Sequence, residues 1–128
     1  MKKRKRRRSS KLDILLDKAW KLMSEYVRRR DKGICFTCFK KDDWRNMDAG
    51  HFKHNRLDYD PRNINAQCTG CNRFRDGKLD IYALRLEEKY GHGIIQELDY
   101  LSRQVQKYTI IEVEAIITAL SELVSKLP

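Results

Sequence analysis

No stretch of this chain runs to 18 consecutive apolar residues, so nothing in it reads as a membrane-spanning helix. The basic N-terminus has no apolar segment after it. That excludes a secretory signal and points to a reducing compartment. There is no internal repeat, and no low-complexity segment beyond that tail. Histidines are few, three in 128 residues. Acidic surplus is absent too: 28 Lys+Arg face 18 Asp+Glu, a net charge of +10. The hydrophobic fraction of 41% excludes a disordered chain, although 36% of residues are charged. A chain of this length forms one small domain with a modest core.

What is present is concentrated. Lys2, Lys3, Arg4, Lys5, Arg6, Arg7 and Arg8 are seven consecutive cations. Such a run can lie along a polyanion, and we read it as a DNA-contacting tail. A solubilising or targeting tail is the plainer reading of the same residues. The expected division is a basic, disordered tail over residues 1–10 and a single domain over 11–128. Within the domain, 33–78 reads as a zinc-held core and 79–128 as C-terminal helices.

The first helix is legible from Leu12, Leu15, Leu16, Ala19, Trp20, Met23, Tyr26 and Val27, which recur every three or four residues. Ser10 and Asp13 have capping spacing. Arg28, Arg29 and Arg30 fall in the last turn, where cations suit the helix dipole, and Gly33 ends the helix. After Gly77 the periodicity returns with Tyr82, Leu84, Leu86 and Tyr90, then breaks at Gly91-His92-Gly93. A short helix follows around Ile94 to Gln104. Thr109-x-x-Glu112 is a capping box before Val113, Ile116, Ile117, Leu120, Leu123, Val124 and Leu127. That last amphipathic helix packs either on the first helix or on a second copy of the chain.

Between these helical stretches lie two Cys-x-x-Cys pairs, Cys35/Cys38 and Cys68/Cys71, with no cysteine left over. Four thiolates in two such pairs suit a closed tetrahedral zinc site, structural in kind. A redox motif is disfavoured because no βαβ pattern accompanies it. The 29-residue spacer from Phe39 to Gln67 is longer than a simple zinc ribbon needs, so something is folded inside it.

That spacer contains Met47–His54, "MDAGHFKH", with two of the three histidines. Asp48, His51, Asn63 and Asn72 stand out. Gly50, just before His51, reads as a place for a bend or bulge. Each has a plainer use: Asp48 and Asn63 as turn residues, Asn72 as a helix-start residue. His54 reads as a solvated strand end and His92 as a loop residue.

Asp/His, then Asn, then Cys-x-x-Cys followed by Asn resembles the HNH, or ββα-metal, nucleases. More narrowly, Trp44, Asp48-Ala49-Gly50-His51, Arg62-Asn63-Ile64, Gln67-Cys68, Cys71-Asn72 and Gly77 resemble the NinG/Rap recombination nucleases of lambdoid phages. The likeness covers roughly Gly33 to the C-terminus. Asn72 replaces the histidine of the standard HNH pattern, as in the endonuclease VII type. The resemblance implies an α+β, mainly helical fold, a small zinc-bound ββα-metal module flanked by α-helices. It also implies metal-dependent hydrolysis of DNA phosphodiester bonds in branched recombination intermediates, in the cytoplasm of a bacterial host.

On that footing the roles rest on chemistry. Asp48 and the Asn72 side-chain oxygen suit a catalytic Mg²⁺ or Mn²⁺, which takes oxygen ligands. His51 suits a general base, and Asn63 would hold His51 or its strand in orientation. Asp48 and His51 are three apart, so in a regular strand they leave opposite faces. Arg56, Arg62, Arg73, Arg75 and Lys78 surround the site as candidate DNA contacts. A homodimer through the C-terminal helices would suit a two-strand substrate. The competing readings are a non-catalytic zinc-knuckle module that binds nucleic acid, and a sequence-specific HNH endonuclease.

Overall fold

The computed structural model describes residues 9–54, 57–104 and 107–128. The tail cations Lys2 to Arg8, and Arg56, lie outside them. Helix α1 is Lys11–Arg30. Its start is a complete capping box: the Ser10 hydroxyl accepts from the Asp13 amide at 3.1 Å and the Asp13 carboxylate accepts from the Ser10 amide at 3.2 Å. The helix ends before Lys32 and Gly33, both left-handed, and the Gly33 amide donates back to Arg28 O. Glycine is required there: a Cβ would stand 1.9 Å from Asp42 O.

Two four-residue strands come next, β1 (Asp48–His51) and β2 (Ile64–Gln67). They pair antiparallel with Asp48 opposite Gln67 and His51 opposite Ile64. A π-helical turn, Gly70–Phe74, leads to α2 (Leu79–Tyr90), α3 (Ile94–Gln104) and α4 (Ile110–Ser125). The Thr109–Glu112 capping box forms as its spacing indicates. The protein is thus mainly helical α+β with one small sheet. No helix among the described residues is long and apolar enough to cross a membrane.

Three apolar clusters surround the hairpin. Met23 and Val27 of α1, Leu120 of α4 and Ile64 of β2 form one, with Ala49 packed beside them. Tyr82 and Leu86 of α2 with Ile94 and Leu98 of α3 form another. Cys35, Met47, Ala66, Cys68 and Cys71 form the third. Helix α4 therefore packs on α1, and Arg29 ties the end of the chain down through Leu127 O and Pro128 O. In α2 the buried residues are Tyr82 and Leu86, while Leu84 and Tyr90 face water. The α2 stripe is narrower than its periodicity suggests because one side of the helix, carrying Tyr82 and Leu86, packs against α3.

β2 reads Ile-Asn-Ala-Gln, yet every residue of it is buried. Burial of Asn65 is tolerated because partners are supplied; Gln67 has them for its Nε2, which donates to Thr37 Oγ1 and Gly77 O, while its Oε1 is buried without one among the described residues. Tyr82 Oη accepts from Asn65 Nδ2 at 3.0 Å and donates to Gly50 O at 2.8 Å, so one buried phenol from α2 ties both strands. The outer edge of β2 is closed by side chains. Asp31 Oδ2 accepts from the Ala66 amide, and Arg30 donates to Ile64 O and Asn65 Oδ1. Arg30 is therefore more than a cation matched to the helix dipole; it is a partly buried edge cap. Gly50 makes neither the bend nor the bulge expected of it. The strand is regular there, and a Cβ on Gly50 would lie 1.9 Å from Gln67 Oε1. Its use is to let the Gln67 amide lie against the β1 backbone.

Candidate metal centre and nuclease site

The four cysteine sulfurs lie within 4.8 Å of one another. Tetrahedral zinc with Zn–S bonds of about 2.3 Å needs S···S edges of about 3.8 Å. Cys38 Sγ and Cys68 Sγ are 3.7 Å apart, and the Cys71 amide donates to Cys68 Sγ at 3.5 Å. Thr37 Oγ1 accepts from Gln67 Nε2 and stands 3.4 Å from Cys35 Sγ, so its own proton is free for that sulfur. Burial pushes the Cys35 thiol up, but the bonds from Thr37 and nearby backbone outweigh it and bring it down to about 6. Four thiols at this spacing, one already favoured as thiolate, fit a zinc ion. The cysteine cluster also orients the next segment: the Asn72 amide donates to Cys68 O, carrying the chain from the second pair into the π-helical turn.

That turn faces the start of β1. Asn72 Nδ2 donates to Asp48 Oδ2 at 3.1 Å. Arg73 grips the same carboxylate with two bonds, Nε to Oδ2 at 3.0 Å and Nη2 to Oδ1 at 3.1 Å. Asp48 and Asn72, distant in sequence, are thereby brought together, with the amide nitrogen of Asn72 turned to the carboxylate. Around them is a recess lined by Trp20, Ser24, Arg28, Arg45, Met47, Ala49 and Arg73. Three guanidiniums surround one carboxylate, so the recess favours an anion. Arg28, Arg29 and Arg45 also lie over the Trp44 ring, 4.7–5.8 Å from its centre.

His51, at the other end of β1, has two neighbours that the sequence does not single out. Its ring stacks on Trp20 of α1, with centroids 4.7 Å apart and planes 19° from parallel. Its Nε2 lies 3.0 Å from Asp58 Oδ1. A carboxylate only accepts, so the neutral ring carries its proton on Nε2 and leaves Nδ1 as the lone-pair nitrogen. Among the described residues no hydrogen bond occupies Nδ1. No local spacing marks Asp58; a search for a carboxylate within a loop's reach of the candidate base would have found it.

Asn63 is fully buried and stitches the loop after β1. Its Oδ1 accepts from the Lys53 amide, and its Nδ2 donates to Lys53 O and Leu57 O. It therefore fixes Lys53 and Leu57, the residue before Asp58. Arg62 is engaged elsewhere, with Asp60 at 2.9 Å and Glu97 at 3.1 Å. Those pairs hold its guanidinium well above its ordinary pKa and away from the recess lining. Arg75 is exposed, and Lys78 sits at a left-handed position before α2. His54 is exposed, 5.8 Å from the His51 ring.

The fold and site define a small α+β protein with four clustered cysteines whose spacing fits a metal ion, and a polar hairpin set against a basic recess. The chain belongs to the family described as Bacteriophage Lambda NinG protein, whose model matches residues 1–127. Curated relatives named Protein ninG are similar over 108 residues. Those of Escherichia phage lambda and Escherichia phage 933W are 28% identical, and that of Salmonella phage P22 is 29% identical. Each match covers 79% of this chain and 51–52% of the relative, so the chain spans about half the length of the curated relatives it matches. No solved structure matches it.

Proposed function

We propose that this protein is a metal-dependent DNA endonuclease of the HNH type, acting on branched DNA in the host cytoplasm. The observation that carries the reading is the meeting of Asp48 and Asn72 at 3.1 Å beside three arginines, with His51 on the same strand. The hairpin followed by a short turn and α2 supports reading it as a ββα-metal module.

Asp48 and Asn72 would hold a Mg²⁺ or Mn²⁺ ion, the amide presenting its oxygen, as two oxygen donors suit such an ion. When bound, the ion supplies charge neutralisation on phosphorus and on the leaving 3′ oxygen. The chain's own residues do the rest. Asp58 holds the His51 Nε2 proton, so Nδ1 takes the proton from the attacking water. Trp20 keeps the ring from rotating. Arg28 and Arg45 bind the phosphate in the recess, and Asn63 keeps the loop behind His51 in place. A dimer for two-strand cutting would form through α4, where Ile111 and Leu123 are exposed. A monomeric mass at working concentration removes that part.

The test is cleavage of a labelled four-way junction and a matched linear duplex with Mg²⁺ or Mn²⁺. His51→Ala should abolish cutting and keep binding. Asp58→Asn should lower cutting and shift its pH profile, because the tautomer of His51 is no longer held. One observation favours the second reading, a non-catalytic zinc module that binds nucleic acid: Arg73 already neutralises Asp48 with two bonds. A wild type that binds DNA but cuts none of these substrates with either metal decides for that reading.

A further inference from the structure

Phe74 is an apolar ring held in water. It is 82% exposed and joins none of the three apolar clusters. A single surface phenylalanine is ordinary; its setting is not. Phe74 is the last residue of the turn anchored by Cys68 and Cys71, so the metal centre that orders the turn also fixes this ring. Arg73 precedes it and is bound into the recess through Asp48. Arg75 follows, and its Nη1 lies over Gly70, 3.2 Å from where a Cβ there would stand. Phe74 thus lies in the chain between two arginines, one of which lines the basic recess. It does not line the recess itself.

An exposed aromatic ring next in the chain to an exposed arginine matches one kind of partner: an unpaired nucleobase with its phosphate. Stacking on a base face depends on the π-surface and tolerates any sequence, and flanking arginines take the backbone. Paired duplex hides its base faces; a branch point or single strand exposes them. We propose that Phe74 is a stacking wedge that engages an unpaired nucleobase of DNA, with Arg75 on an adjoining phosphate. This rests on the DNA-binding part of the function proposed above, and gives that site a physical means of preferring branched over linear DNA.

The experiment measures binding of the zinc-loaded full chain, without magnesium or manganese. The probes are a four-way junction with 2-aminopurine at the branch, a single strand, and a matched duplex. Phe74→Ala should weaken junction and single-strand binding by about ten-fold or more, the scale of one base stack, with duplex affinity within about two-fold. Phe74→Trp should restore binding, and its fluorescence should be quenched on adding the junction. The salt slope should be unchanged in Phe74→Ala and should fall by about one in Arg75→Ala. Equal affinity of wild type and Phe74→Ala for all three probes overturns the proposal. So does an equal loss on all three. A dimer that Phe74→Ala turns into a monomer assigns the ring to a second copy and overturns it too. Selective loss supports the wedge even where the wild type cuts nothing, so the wedge and the nuclease reading fail separately.

Discussion

The hairpin with its cysteine pairs and the α1–α4 pair are two halves of one small protein, held by different forces. The α1–α4 pair is joined by apolar contact: Met23, Val27 and Leu120, with Ile116 beside them. The hairpin half has two strands of four residues, and half of β2 is polar. An isolated two-stranded sheet is marginal in water. It stands here because sulfur atoms, buried amides and one phenol fix it. The difference teaches where precision is placed. The apolar half tolerates adjustment, whereas each polar partner in the hairpin half has one geometry. The candidate site residues Asp48, His51 and Asn72 all lie in the half with fixed geometry, against a helix from the other.

Three changes test this contrast, in falling order of effect. Cys68→Ser removes one of four zinc donors. Structural zinc contributes about 10–16 kcal/mol in small modules, against about 5–15 kcal/mol for the stability of a whole domain. Loss of zinc stoichiometry and of the cooperative unfolding transition is expected, and a chelator should reproduce it. A variant that melts like wild type removes the zinc assignment. Leu120→Ala, in the other half, should cost about 2–4 kcal/mol in denaturant unfolding and leave zinc content unchanged. Zinc loss in that variant would show that the two halves are a single cooperative unit. Tyr82→Phe deletes the oxygen that bonds Gly50 O and Asn65 Nδ2 in the interior and leaves Asn65 Nδ2 only its bond to Arg62 O. We expect about 1–3 kcal/mol of destabilisation. A neutral outcome would mean that the hairpin half is less dependent on its polar partners than its burial indicates.

The helices are legible in the sequence because their signals are local. Ser10 with Asp13 and Thr109 with Glu112 form the boxes their spacing announces. The apolar stripe of α1 lands on the core. The clustering of the four cysteines is legible too, since two Cys-x-x-Cys pairs admit few arrangements. The strands are not. Asn65 and Gln67 carry no strand signal; they belong there because Tyr82 and Thr37 come from elsewhere to bond them. Gly50 matters for a reason other than the bend its position suggests. Its missing side chain makes room for Gln67, a residue across the sheet, and leaves the strand unbent. Asp58 carries no local signal, since its importance depends on a loop folding back to His51.

By itself the sequence determined the paired cysteines suited to zinc, the helical class and the polar residues of the candidate site, because Cys-x-x-Cys spacing, capping and periodicity act over a few neighbours. Only the tertiary structure decided which partners those residues keep. Asp58 and Trp20 around His51, Arg73 on Asp48, and Arg30 with Asp31 along β2 are pairs between separated segments. Their geometry exists only once the sheet is closed between α1 and α2.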